Sequence, residues 1–389
     1  MVDTFIMPEK ILCGEEALYE AANILTRMGK RALIVTDPVM ERLGKRKTVT
    51  DLLEKVKIGY TVFSDITGEP DDGMIELGAV VYKEKQCDFL VALGGGSAID
   101  AMKAIAILVR YEGNLGDYAG RTVEETWIPM VAIPTTAGTG SEATQFAIIT
   151  NRKTKVKMVL KGSALMPDLA VIDPRFAVTT PPTVTAATGI DALTHAIEAY
   201  TSRKAQPLSD IFALSASRRI FSNLRHTWAC GEDLNGRKEM ALAALEAGIA
   251  FNNSSVTVIH GMSRPIGALF HVPHGISNAM LLKVCLEYIA DGAQERLAKL
   301  SEVCGISEKG EIPEVASRKF LVAVEMLLKE IQIPTLKEYG IDGDAFLESI
   351  PKMAMDAEAS QSPANTRKLI TVEIIEELYR KLWKQSFLK

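Results

Sequence analysis

Phe89-Leu90-Val91-Ala92-Leu93-Gly94-Gly95-Gly96-Ser97 is the stretch on which the architecture turns. An apolar run this short, closed by three glycines, reads as a buried strand. Residues 98–110 then place apolar side chains at three- and four-residue spacing, the period of a helix. A strand feeding a helix through glycines is half of a βαβ unit. Only glycine leaves room there for a diphosphate to approach the backbone, and the free N–H groups of the helix start form an anion site. A plain tight turn into a helix accounts for the same letters equally well.

Outward from this stretch the rhythm repeats. Ala32-Leu33-Ile34-Val35-Thr36, Tyr60-Thr61-Val62-Phe63, Met130-Val131-Ala132-Ile133 and Leu169-Ala170-Val171-Ile172 read as further buried strands, bounded by Gly, Pro or Asp. Helical patterns fill 15–28 and 72–86. Such alternation implies a parallel sheet covered by helices on both faces. The N-terminal run 5–14 reads as a hairpin attached to the sheet. Between Asp173-Pro174 and Pro181-Pro182 the rhythm changes, and helical periodicity takes over at 183–200, 207–228, 236–259, 292–304, 313–331 and 371–387. The expected fold class is α/β: an N-terminal parallel-sheet dinucleotide-binding domain over residues 1–178, then an all-helical domain over 179–389.

Composition narrows the function classes. A chain of 389 residues is longer than one compact core usually runs. Hydrophobic residues at 47% and charged residues at 24% exclude disorder. The formal charge of −5 has no basic stripe beyond Lys45-Arg46-Lys47, which reads as a solvated loop, so no nucleic-acid partner is expected. The 5 cysteines are odd in number and form no CxxC pair, which argues against a thiolate zinc site or a disulfide framework. Reduced thiols, an N-terminus without a signal-peptide pattern, and apolar runs too short to cross a bilayer lead to the expectation of a soluble cytoplasmic protein with no membrane partner.

Two more loops join the glycine turn. Asp37 follows the strand ending at Thr36, where a carboxylate can accept from a ribose 2′-hydroxyl and repel a 2′-phosphate; a helix N-cap explains it too. The segment Pro134-Thr135-Thr136-Ala137-Gly138-Thr139-Gly140-Ser141-Glu142 follows the strand 130–133 with small hydroxyl-bearing residues suited to phosphate, ribose or amide. All three loops stand at carboxyl ends of strands, the edge where open α/β sheets bind ligands. Together they point to a nucleotide.

A metal constellation follows. Asp191 and His195, four residues apart, stack on one helix face. His260, read as the end of a long helix, and His274, read as lying in a turn, add two imidazoles. Four of the 5 histidines in the chain fall in these two segments: His195, His260, His271 and His274. The fifth, His226, sits apart in a helix rich in basic residues. One carboxylate with three imidazoles suits Fe²⁺ or Zn²⁺.

With these segments assembled, the chain resembles the iron-containing (group III) alcohol dehydrogenases over essentially its whole length. The motifs that carry the resemblance are Gly94-Gly95-Gly96-Ser97 with Asp100, the block 134–142, GIDALTHAIEAY at 189–200 and HGMSRPIGALFHVPHG at 260–275. The resemblance implies Asp191, His195, His260 and His274 as metal ligands and Asp37 as the residue favouring NAD. It implies Gly95, Gly96, Ser97, Thr135, Thr136, Thr139, Thr144 and Lys157 as cofactor-lining positions, and a homodimer or larger homo-oligomer. Two positions depart from the pattern. Arg264 stands where many relatives have a second histidine near the nicotinamide, and Gly68-Glu69-Pro70 stands where an asparagine is common.

The implied reaction interconverts a small primary alcohol and its aldehyde, the metal polarising the substrate oxygen and NAD carrying the hydride. His271 is a candidate proton relay, or a ring packed beside the metal loop. Arg264 is a candidate clamp for a negatively charged aldehyde, or a partner of a local carboxylate. Rival readings are a dehydroquinate synthase-like lyase, a glycerol dehydrogenase-like enzyme and a non-catalytic NAD-binding protein.

Overall fold

The computed structural model describes residues 2–154 and 156–387; Met1, Lys155, Leu388 and Lys389 lie outside the described residues. The strands are β1 (Lys10–Cys13), β2 (Arg31–Thr36), β3 (Gly59–Phe63), β4 (Phe89–Gly94), β5 (Met130–Pro134), β6 (Phe146–Thr150), β7 (Lys157–Lys161) and β8 (Leu169–Ile172). The first helices are α1 (Ala17–Glu20), α2 (Ala22–Met28), α3 (Pro38–Arg42), α4 (Lys45–Lys55), α5 (Asp72–Glu84) and α6 (Gly96–Arg110).

β1, β8, β5, β4, β2 and β3 form one parallel sheet in that order. Alternate residues of β2 and β4 supply the two cores. Leu33, Val35, Leu90 and Ala92 pack with α5 and α6, while Ala32, Ile34, Val91 and Leu93 pack with α1, α2 and α4. Both faces of β2, β4, β5 and β8 are buried, so these strands are largely apolar, as a helix-covered parallel sheet requires, while the edge strands β1 and β3 are only partly buried. From β2 the chain steps outward to β3, then crosses to the other side of β2 for β4 and continues through β5. The order reverses between β2 and β4, and the crevice at their carboxyl ends is where open α/β sheets take their ligands.

The N-terminal hairpin is not formed. β1 is a single strand that pairs in parallel with β8, Lys10 opposite Leu169. Two residues upstream of β1, Pro8 has no N–H to give a returning strand. A hairpin occurs elsewhere: β6 and β7 form a separate antiparallel pair, Phe146 opposite Lys161. Its alternating burial is a clear strand signal within a segment whose small residues draw the eye to its loop.

Downstream run α7 (Pro182–Thr201), α8 (Pro207–Ala229), α9 (Leu234–Asn252), α10 (Val258–Phe270), α11 (His274–Ile289), α12 (Gln294–Val303), α13 (Pro313–Glu330), α14 (Gly343–Ala359) and α15 (Val372–Gln385). The single helix expected over 236–259 is two. Asn253-Ser254-Ser255, whose side chains compete for backbone hydrogen bonds, interrupt it. His260 therefore stands near the start of α10, and His274 opens α11 rather than occupying a turn.

The chain divides into two compact units. One comprises Ile6–Thr180 with Glu232–Gly248, the other Met1–Phe5, Pro181–Gly231 and Ile249–Lys389. The segment 232–248 thus belongs with the sheet. Its last residue explains the attachment: a Cβ on Gly248 would stand 2.6 Å from the carbonyl oxygen of Gly140, itself a left-handed residue at φ +60°. Two glycines are needed for backbones to meet this closely.

A buried polar knot fixes the loop after β5. The Lys103 ammonium, on α6 and sealed from solvent, shares its three donors among Ser141 O (2.7 Å), Ser141 Oγ (3.0 Å), Thr144 O (2.8 Å), Thr144 Oγ1 (3.1 Å) and Phe146 O (2.8 Å). Asp100, one turn earlier, accepts from Ser141 Oγ at 2.5 Å and from Ile148 N–H at 2.9 Å. Burial pulls Lys103 down to about 8 and pushes the neighbouring Glu142 carboxyl up to about 7 from its usual 4.5. A carboxyl that holds its proton more tightly folded than unfolded contributes stability in full below pH 4.5 and loses it as pH rises through about 7. Glu142→Gln removes that titration. Thermal melting at a series of pH values is therefore expected to show the variant gaining on wild type from pH 5 to 8; a constant difference across that range would contradict it.

Candidate metal and cofactor sites

Helix α7 carries Asp191 and His195 one turn apart, and both are almost wholly buried, 2% and 5% exposed. α10 brings His260 to them at 3% exposure. One ligand atom from each of Asp191, His195 and His260 lies within 4.8 Å of the others, close enough to share one cation. The His274 Nε2 is 3.8 Å from Asp191 Oδ1, the same separation as His260 Nε2, and the His260 and His274 rings are 5.3 Å apart. The structure therefore brings together all four residues of the expected set. His274, with 31% of its side chain exposed, is the open side of the cluster. The start of α11 approaches α7 this closely because residue 275 is glycine: a Cβ there would stand 2.4 Å from the Ala187 carbonyl oxygen.

The surroundings fit a bound cation. Asn278 Nδ2 donates to Asp191 Oδ1 at 2.7 Å and faces His260 Nε2 at 3.1 Å and His274 Nε2 at 3.2 Å. Three acceptors thus converge on one NH₂ group, which has two protons to give. The His195 Nδ1 is buried with no partner. Burial alone would raise Asp191, but the imidazoles of His195, His274 and His260 outweigh it and hold the carboxyl below its usual range. Burial, reinforced by the neighbouring histidines, keeps His260 well below the usual imidazole value, in the neutral form that ligates metals. A cluster of this donor chemistry, ionised at the carboxylate and neutral at His260, matches a divalent iron or zinc site.

One member was not foreseen. Glu198, on α7 and fully buried, accepts from Thr257 Oγ1 at 2.5 Å, from Ile259 N–H at 2.7 Å and from His260 Nδ1. That bond fixes which ring nitrogen of His260 carries the proton and turns Nε2 toward the cluster. The signal was available: Glu198 lies seven residues after Asp191, on the same helix face as Asp191 and His195.

In the sheet unit, Asp37, the glycine turn and Thr135 come together at the carboxyl ends of β2, β4 and β5. Gly95 caps α6 without a side-chain hydrogen bond, leaving the first N–H groups of the helix open to an anion. The glycines are enforced by neighbours: a Cβ on Gly95 would meet Thr136 Oγ1 at 3.3 Å, and one on Gly96 would meet the Thr139 methyl at 2.8 Å. Ser97 follows in the first turn of α6. Asp37 serves as the N-cap of α3, its Oδ1 accepting from Val39 and Met40 N–H, while a Cβ on Gly94 would lie 3.3 Å from its Oδ2. Asp37 is thus a cap whose second oxygen faces the glycine turn. Thr135 is buried and accepts through its carbonyl from Thr180. The Thr144 hydroxyl is engaged within the Lys103 knot. Lys157 pairs with Glu69 at 2.7 Å, joining two positions singled out separately in the sequence.

His271 does not join the ligand cluster. It is exposed and ends α10 in the left-handed conformation, φ 54°. Arg264, four residues beyond His260, is partly buried and bonds to Ser362 Oγ at 3.3 Å.

Comparison with known proteins agrees with both halves of the molecule. Residues 8–174 match the sequence model for iron-containing alcohol dehydrogenase, and residues 185–383 match that for the C-terminal part of the same family. The chain is 35% identical over 383 residues to the NAD-dependent methanol dehydrogenase of Bacillus methanolicus, covering 98% of this chain and 99% of the relative. It superposes on a solved 1,3-propanediol oxidoreductase with a TM-score of 0.93 at 34% identity, covering 98% of this chain and 100% of the other. A sulfoacetaldehyde reductase from Bifidobacterium kashiwanohense, solved with NAD⁺, aligns with a TM-score of 0.89 at 26% identity over 100% of both chains. Motifs, sheet order and buried ligand cluster converge with these likenesses on one assignment: the chain belongs to the iron-containing alcohol dehydrogenase family.

Proposed function

We propose that the protein interconverts a small primary alcohol and its aldehyde, with NAD as the redox partner, at the cluster of Asp191, His195, His260 and His274. The observation that carries this reading is the convergence of one ionised carboxylate and three imidazoles from three helices. In the reducing direction aldehyde, NADH and a proton give alcohol and NAD⁺: a C–H bond forms at the carbonyl carbon and the proton goes to its oxygen. A divalent ion at the cluster supplies Lewis acidity toward that oxygen, and the nicotinamide supplies the hydride.

The chain's own residues do the rest. Asp191 and the three imidazoles gather around one region, where the Asn278 amide lies against Asp191 Oδ1, His260 Nε2 and His274 Nε2 and would give way to an ion. Glu198 sets the tautomer of His260. The open N–H groups at Gly96 and Ser97 are assigned to the cofactor diphosphate, the free oxygen of Asp37 to a ribose hydroxyl, and Thr136 and Thr139 to the cofactor edge. Thr135, Thr144 and Lys157 act one step behind, through the loop and hairpin they anchor. His271, exposed at the end of α10, is assigned to proton exchange with solvent. A cytoplasmic homodimer accompanies this reading; an exposed thiol at Cys230, outside any disulfide, suits a reducing compartment.

An assay of NADH oxidation against an aldehyde panel tests the reading. Chelation is expected to abolish turnover, and Fe²⁺ or Zn²⁺ to restore it. Full turnover by exhaustively chelated protein would overturn the assignment. Glu198→Gln keeps the shape but weakens the acceptor. Its metal Kd, read by competition with a fluorescent chelator, is expected to rise about 10- to 100-fold; an unchanged Kd would remove Glu198 from the site.

A further inference from the structure

Arg264 stands on α10 one turn beyond His260, so the two side chains share a helix face, with Cβ atoms about 6 Å apart. Its guanidinium has five N–H donors. One is used, by Nη1 toward Ser362 Oγ at a long 3.3 Å, and the Nε–H is buried with no partner. Among the described residues no ion pair involves this arginine. Glu198 is the carboxylate whose field it feels, but the oxygens of Glu198 are already taken by Thr257, Ile259 and His260. The ordinary explanation for such an arginine, a local carboxylate partner, is therefore absent. A cationic fork held beside a ligand cluster with donors to spare is built to receive two oxygens of an anion.

We propose that Arg264 selects the substrate, and that the preferred aldehyde carries an oxyanion, carboxylate or sulfonate, a few bonds from its carbonyl carbon. The carbonyl faces the ligand cluster while the tail oxygens take the free N–H groups of Arg264, with the Ser362 hydroxyl beside them. Arginine does not lose its proton at working pH, so its part is recognition and not proton transfer. This inference rests on the dehydrogenase reading above.

The test compares kcat/KM for succinic semialdehyde and 3-sulfopropanal with that for butanal, in wild type, Arg264→Ala, Arg264→Lys and Ser362→Ala. Wild type is expected to favour the anionic aldehydes by about 10- to 100-fold, mainly through KM. Arg264→Ala should bring the ratio close to one, and Arg264→Lys should keep part of it, as a point charge without the fork. Preference for one anionic tail over the other identifies the oxyanion. A binding readout stands beside turnover: calorimetric titration of zinc-loaded, NADH-bound protein should show butyrate binding and butyramide not, with the butyrate signal lost in Arg264→Ala. Turnover of butanal with no preference for charge, or a preference that survives Arg264→Ala, overturns the role of Arg264 and leaves the dehydrogenase reading standing. No NADH oxidation with any aldehyde in metal-loaded protein removes that reading and this one together.

Discussion

A carboxylate sealed from water must find positive charge or several donors, and Asp191 imposes that requirement on the helical unit. Its burial alone would favour protonation, a cost of several kcal/mol for a lone ion in a low-dielectric interior. The Asn278 amide supplies one donor, and a divalent ion shared with the neighbouring histidines would supply the charge. Meeting the requirement fixes geometry: α7 must present residues 191 and 195 inward, α10 must start where His260 can reach them, and α11 must start at His274. The glycine at 275 is a consequence, because the approach of α11 leaves no space for a methyl group beside Ala187. Glu198 extends the same logic outward. A second buried carboxylate on the same helix would be a liability without the hydroxyl, the amide and the imidazole that it accepts from.

The sheet unit solves a related problem with a buried cation. Lys103 lies beneath the loop after β5, and its ammonium is surrounded by oxygens of residues 141, 144 and 146. Side-chain flexibility would not hold such a loop; three shared protons from a rigid helix do. Because α6 begins at the glycine turn, the turn and the loop after β5 are fixed to one element. Two parts of the proposed nucleotide edge are thereby fixed to each other before any ligand arrives, which lowers the ordering cost of binding.

How much of this was readable in the letters depended on range. The five sheet strands with uniform apolar runs, the change to helical rhythm near residue 180 and the i, i+4 pair Asp191–His195 are local patterns, and the structure contains each of them. Long-range facts were not local patterns. The parallel pairing of β1 with β8, the return of 232–248 to the sheet unit and the contact of Gly140 with Gly248 depend on backbone meeting backbone across the chain. The break between α9 and α10 was readable in Asn253-Ser254-Ser255 but was overridden by apolar periodicity on either side. Glu198 escaped because its role is defined by what it holds, and periodicity cannot report a partner sixty residues away.

Several residues also refuse the choice between a structural and a chemical role. Asp37 caps α3 through one oxygen and turns the other toward the glycine turn; the cap immobilises the carboxylate, and an immobilised carboxylate is the better acceptor. His274 opens a helix and stands beside Asp191 and His260 by the same placement. Arg264 is the opposite case, a group whose structural explanation fails when its neighbours are counted. Where packing already accounts for a polar side chain, a functional role needs separate support. Where packing leaves donors unmatched beside a reactive cluster, the missing partner is itself information about what the cluster receives.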